Sequence, residues 1–135
     1  MRVLIAVLTA VVALVACSSA QAAPSPLTIT RSGGIAGIHD TLVVHPGGRG
    51  TLTHRGGDRE RLAPAQTRAV RAALRVSGFL DLDAVYEPAG GVVVSDGIDY
   101  VFRARGHTVA VKELADGVPA RLQRLKLAAA DLMNG

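Results

Sequence analysis

Histidine and cysteine, the residues that most often carry chemistry, are few and widely spaced in this chain. The histidines are His39, His45, His54 and His107, and Cys17 is the one cysteine. The histidines lack the short spacing of a metal-binding motif such as HExxH, and a zinc site built on cysteine needs a second cysteine. The sequence therefore predicts no metal site and no cofactor.

Serine and carboxylate side chains give no stronger sign of catalysis. Ser32, His39 and Asp40 lie close in sequence, but the chain lacks the GxSxG motif that places a nucleophilic serine on a rigid turn. Asp81 and Asp83 form a possible carboxylate pair in an irregular segment, where acids that only meet solvent are the more frequent case. We expect a protein that is not an enzyme.

A glycine-rich stretch, ITRSGGIAGIHD, runs from Ile29 to Asp40. A phosphate-binding loop needs a helix N-terminus directly after its glycines, whereas the residues that follow here, 41–45, have the pattern of a strand. The stretch therefore predicts a loop between two strands that presents Ile35 and Ile38. Two alternatives are open: the isoleucines fold back into the core, or Ile35 is exposed and binds a partner.

The N-terminal residues resemble an export signal. Arg2 is followed by VLIAVLTAVVALVA, an uncharged apolar run with the length of a signal peptide and too short for a comfortable membrane span. LVAC, from Leu14 to Cys17, resembles the lipobox of bacterial lipoproteins, in which the cysteine is acylated and begins the mature chain. The alternative is cleavage near Ala23, which gives a freely secreted protein.

These patterns divide the chain into three parts. We expect a signal peptide at 1–16, a lipidated Cys17 with a flexible tether at 17–26, and one domain at 27–135. The protein would then be attached to the membrane through Cys17 and face outside the cytoplasm. The mildly basic net charge of +4 on an exported protein favours lipid headgroups or an acidic partner, and the absence of tryptophan argues against nucleic acid. We expect a monomer.

Hydrophobic periodicity predicts the fold class. Five segments have the pattern of strands, and the clearest are the two halves of IDYVFRARGHTVAVKE, joined by a turn at Arg105 and Gly106. One helix is predicted to begin at Pro64, and Asp116 followed by Pro119 predicts the start of a second. The expected fold is α+β, an antiparallel sheet of about five strands with two helices packed on one face. The first helix carries Arg68, Arg71 and Arg75, which form either a solvated face or an anion-binding face.

The sequence resembles the emfourin-like proteins, named for an inhibitor of protealysin, a thermolysin-like metalloprotease. The resemblance lies in ITRSGGIAGI, in LAPAQTRAVRAALRVSGFLDL, and in DYVFRARGHTVAVKE with its closing helix, and it spans nearly the whole domain. Members carry a large apolar residue, often Phe, where this chain has Ile35. The signal segment with Cys17 and the insert GGVVVS are departures from the family.

The resemblance implies a protein that binds a thermolysin-like zinc protease and blocks its cleft. The inhibitory segment, called the glycine loop below, would consist of Ser32, Gly33, Gly34, Ile35, Ala36, Gly37 and Ile38. An alternative function is that of an envelope lipoprotein adaptor, which uses its arginine face to bind an acidic polymer, lipid headgroups or a protein partner. Inhibition should depend little on salt, whereas an adaptor of this kind should weaken as salt rises.

Overall fold

The computed structural model describes residues 24–135. The predicted signal peptide and Cys17 lie outside these residues. The described part contains seven strands and two α-helices, in the order β1 (Leu27–Gly33), β2 (Ile38–Val44), β3 (Gly50–Thr53), β4 (Arg59–Leu62), α1 (Arg68–Val76), β5 (Val85–Tyr86), β6 (Ile98–Ala104), β7 (His107–Val111) and α2 (Ala120–Asn134). Among these residues, no helix has the length and apolar character needed to cross a membrane.

The strands form one sheet with the order β4-β3-β2-β1-β6-β7-β5. Each neighbouring pair is antiparallel except β5 and β7, which are parallel. The central strand β1 runs from Leu27 at one end of the sheet to Gly33 at the other. Arg105 and Gly106, both with positive φ, form the predicted turn between β6 and β7.

One face of the sheet is buried. Alternate residues of β1 point to opposite faces, so Leu27 and Ile29 enter the core while Thr28 and Thr30 lie on the open face. The same alternation places Leu42 and Phe102 in the core. The helices cover this face and pack on each other, with Val70 from α1 and with Leu122, Leu125, Ala129 and Met133 from α2.

The predicted α+β class is confirmed, and the strand count of about five was too low. The two strands that sequence patterns missed are β4 and β5. The segment of β4 reads RERL and lacks the alternation of apolar and polar residues that predicts a strand. Its charged residues are typical of a solvent-exposed edge strand. The two residues of β5 join the sheet through parallel pairing with β7, a non-local contact that gives no local sequence signal.

Candidate functional site

The tip of the glycine loop is a four-residue turn, Gly34 to Gly37, between β1 and β2. The backbone N–H of Gly37 donates to the carbonyl of Gly34 at 2.9 Å, which closes the turn. Ile35 lies at its tip and is 91% exposed, whereas Ile38 is partly buried at the start of β2. Of the two alternatives left open by the sequence, burial of Ile35 in the core is therefore wrong.

Arg55, in the turn between β3 and β4, holds one side of the glycine loop. Its Nη1 donates hydrogen bonds to the carbonyl oxygens of Ala36 and Gly37, each at 2.9 Å. The guanidinium lies so close to Gly37 that a Cβ there would come within 2.3 Å of Nη1. Glycine at position 37 therefore permits both its positive φ of 60° and the close approach of Arg55.

Gly97, just before β6, holds the other side. The backbone N–H of Gly34 donates to the Gly97 carbonyl at 3.2 Å. The segment around Gly97 is itself fixed by Glu113, whose Oε2 accepts a hydrogen bond from the backbone N–H of Ile98 at 2.9 Å. The turn that carries Ile35 is thus supported from two neighbouring loops.

A buried ion pair lies beneath the glycine loop, on the core face of β1 and β2. Arg31 and Asp40 are register partners, and Arg31 Nε donates to Asp40 Oδ2 at 3.0 Å. Arg31 Nη1 also donates to Asn134 Oδ1 at 2.6 Å, which ties the end of α2 to β1. Asp40 Oδ1 makes a further hydrogen bond to His54 Nδ1 at 2.9 Å.

The environment of Asp40 favours its charged form. Burial by itself raises the pKa of Asp40, but the hydrogen bonds from Arg31 and His54 outweigh burial and hold the pKa of this carboxyl below its ordinary value. Sequence patterns missed this group because a charged residue at the end of a strand is normally expected in solvent, although the alternation of β1 places Arg31 on the core face with Leu27 and Ile29. The cross-strand register brings it to Asp40 instead.

Other exposed apolar side chains lie on loops at the same end of the sheet as Ile35. Val92 and Val93 precede Gly97, and Val93 is 85% exposed. Leu114 follows Glu113, is 69% exposed and has a positive φ of 57°, which is uncommon for leucine. Together with Ile35, these residues expose apolar surface to solvent at this end of the sheet, as is typical of interaction sites.

Ser32, His39 and Asp40, which are close in sequence, do not share one face of the sheet. Ser32 and His39 are register partners on the open face of the sheet, whereas Asp40 faces the core. His54 is the histidine that reaches Asp40, and His107 instead bonds the carbonyl of Leu82. Within residues 24–135, no three His, Cys, Asp or Glu side chains are grouped in a way that could hold a metal ion.

The three arginines of α1 are divided between two surfaces. Arg71 and Arg75 line an open groove at the end of the sheet opposite the glycine loop, where they are joined by Arg105 from the turn between β6 and β7. Arg68 is exposed on α1 and does not line this groove. We call the surface that contains Arg71, Arg75 and Arg105 the basic groove.

Comparison with known proteins adds no assignment: no protein-family model and no curated protein matches this chain.

Proposed function

We propose that the protein is a non-enzymatic, exported inhibitor of a thermolysin-like zinc metalloprotease, whose cleft is occluded by the glycine loop. The observation that carries this proposal is the 91% exposure of Ile35 at the tip of a supported turn. Exposing an isoleucine to water is unfavourable, and a partner that buries it gains about 1.5–3 kcal/mol. The resemblance to the emfourin-like proteins indicates the class of partner.

The hydrogen bonds around the turn support a role in tight binding. A loop that is already held in one conformation loses little entropy when it binds, so more of the contact energy appears as affinity. Arg55 and Gly97 supply this order on opposite sides of the turn. Thermolysin-like proteases accept a large apolar side chain just past the scissile bond, which suits the side chain of Ile35.

Inhibition of thermolysin by the wild-type protein and by Ile35→Ala tests the proposal. We expect competitive inhibition by the wild type and about a tenfold to hundredfold weaker inhibition by the variant, from the loss of apolar burial. Because Ile35 contributes little to the core, thermal unfolding of the variant should match the wild type. Leu127→Ala is the matched control, since Leu127 is an exposed leucine on α2.

Two results would contradict the inhibitor proposal. Unchanged inhibition by Ile35→Ala would remove Ile35 as the anchor of the interaction. Failure of the wild-type protein to inhibit thermolysin or related proteases would favour the adaptor function, for which the basic groove is the supporting feature. Salt separates the two functions, because binding through arginines weakens as salt rises and binding through an apolar side chain does not.

A further inference from the structure

The basic groove combines positive charge with an apolar floor. It has a volume of about 950 Å³, and Leu27 and Leu74 line it together with the arginines. None of the described residues that line this groove is acidic. A smaller hollow continues past Arg75 and Arg105 to the exposed Leu80, and it includes one carboxylate, Asp81.

The arginines of the groove form no ion pair with any other residue of the described part of the chain. Within the part of the chain that the structure describes, the ion pairs are Arg31–Asp40, His54–Asp40 and Lys112–Asp99. Arg71 is oriented by a hydrogen bond from Nη2 to the carbonyl of Pro64 at 2.9 Å, which leaves its charge unpaired. An anion that enters the groove would therefore meet three arginines that form no ion pair with another described residue.

Arg105 occupies a backbone position that does not suit arginine. Its φ is 51° and that of Gly106 is 75°, as in the two-residue hairpin turns that prefer Asn or Gly at the first position. Arginine at this position reduces the stability of the turn relative to Asn. Its guanidinium, which lines the groove, offers a functional reason for the choice.

The groove also lies where the predicted tether meets the domain. Pro24 and Ser25 line it, and the backbone N–H of Arg105 donates to the Ser25 hydroxyl at 2.9 Å. Seven residue steps separate Cys17 from Pro24, and a fully extended chain of that length spans at most about 25 Å. A membrane that holds Cys17 would therefore lie within reach of the groove.

We propose that the basic groove binds the headgroup phosphate of an anionic phospholipid in that membrane. The apolar floor and Leu80 would contact the upper part of the acyl region, while the arginines pair with phosphate. The glycine loop lies at the far end of β1, about 20 Å away for six strand steps, and would point away from the membrane toward a partner. The choice of a membrane lipid as the anion rests on the proposed attachment at Cys17, whereas binding in the groove can be measured without acylation of Cys17 and without a protease.

Vesicle binding by residues 24–135 tests this proposal. Among the described residues, the hydrophobic core runs from Leu27 to Met133, and we expect residues 24–135 to fold as a unit. The probes are phosphatidylcholine vesicles with and without phosphatidylglycerol. The fraction of protein that sediments with the vesicles is measured at low and at high salt. We expect binding that requires phosphatidylglycerol and weakens as salt rises.

Two matched double variants locate the binding surface. Arg75→Ala/Arg105→Asn removes two charges from the groove, and Arg59→Ala/Arg61→Ala removes two charges from the exposed edge strand β4. We expect the groove variant to bind about 30-fold more weakly, since each basic residue near an anionic surface contributes about a factor of five. The β4 variant should bind nearly as well as the wild type.

Three outcomes would overturn the proposal. The two double variants could lose the same amount of vesicle affinity, or the wild type could bind equally well to vesicles with and without phosphatidylglycerol. The wild type could also bind inorganic phosphate as tightly as it binds the vesicles. The single variant Arg105→Asn should unfold at the same or a higher temperature and bind less well; higher stability with unchanged binding would remove Arg105 from the site. The thermolysin assay contains no membrane, so failure of the inhibitor proposal would leave these results intact.

Discussion

Gly33 lies against Gly97 so closely that a Cβ on Gly33 would come within 2.0 Å of the Gly97 carbonyl oxygen. The φ of Gly33 is 118°, a conformation that residues with a side chain rarely adopt. The contact joins the end of β1 to the segment before β6, at the base of the turn that carries Ile35. The position of the glycine loop therefore requires a residue without a side chain at position 33.

Gly33→Ala should displace the glycine loop. Because the clash is with backbone and the conformation is strained, we expect the free energy of unfolding to fall by at least about 2 kcal/mol. Inhibition of thermolysin should be lost even under conditions where the variant remains folded. Thermal unfolding and the inhibition assay, run together, measure the two effects.

Gly117→Ala is the control for backbone strain alone. Gly117 also has a positive φ, but a Cβ there would meet no atom within 4 Å. This variant should lose about 1 kcal/mol of stability and keep its inhibition. A Gly33→Ala protein that resembles this control in both measurements would show that the contact with Gly97 does not position the loop.

Arg55→Ala should weaken inhibition without weakening the fold. Arg55 is exposed and its two hydrogen bonds go to the turn itself, so its removal should leave the turn more mobile before binding. We expect about three- to tenfold weaker inhibition, from the entropy lost when the loop is ordered by the protease. Arg59→Ala, an exposed arginine on the neighbouring strand β4, is the control. Equal inhibition by both variants would contradict a supporting role for Arg55.

Sequence patterns predicted the parts of the fold that depend on interactions between residues close in sequence. The alternation in β6 and β7 and the turn at Arg105 and Gly106 appear as expected, because one buried face and a short turn fix a hairpin. The glycine spacing likewise predicted a loop between two strands, but it left open whether Ile35 is exposed. The predicted start of the first helix at Pro64 is wrong: the helix begins at Arg68, because residues 64–67 form a turn before it.

Sequence patterns did not predict contacts between residues that are far apart in the sequence. The pairing of Arg31 with Asp40 and Asn134 needs the register of β1 and β2 and the end of α2 together. The basic groove draws Arg71 and Arg75 from α1 and Arg105 from a hairpin, and Arg68, which has the same spacing pattern on the helix, does not line it. Which arginines share a surface follows from packing and not from their positions in the sequence.

Cys17→Ala should release the protein from the membrane in cells. Two or three acyl chains on Cys17 would each contribute about 0.8 kcal/mol per buried CH₂, which gives firm attachment. A headgroup bound in the basic groove is a much weaker and salt-sensitive contact, so it should not retain the variant at high salt. Fractionation of cells and medium measures the release. Recovery of Cys17→Ala in the membrane fraction after a high-salt wash would contradict attachment through this cysteine.

Asp40→Asn should reduce stability in a way that depends on pH. The variant leaves Arg31 buried without its carboxylate, and we expect a loss of about 2–3 kcal/mol at neutral pH. Because the pKa of Asp40 is lower in the folded than in the unfolded protein, the charged form stabilises the fold above pH 4. This contribution should decline as the pH falls below about 4 and approaches the folded pKa, where Asp40 takes up a proton.

The difference in unfolding free energy between the wild type and Asp40→Asn is the quantity that tests this linkage. Denaturant titrations from neutral pH down to acid should show the difference shrinking below about pH 4, as the wild-type carboxyl becomes neutral like the amide. Asp96→Asn, in an exposed loop, should change stability by less than about 0.5 kcal/mol at neutral pH. A difference for Asp40→Asn that stays constant down to acid pH would mean that the charge of Asp40 does not stabilise the fold. The ion pair beneath the glycine loop would then act through its hydrogen-bond geometry alone.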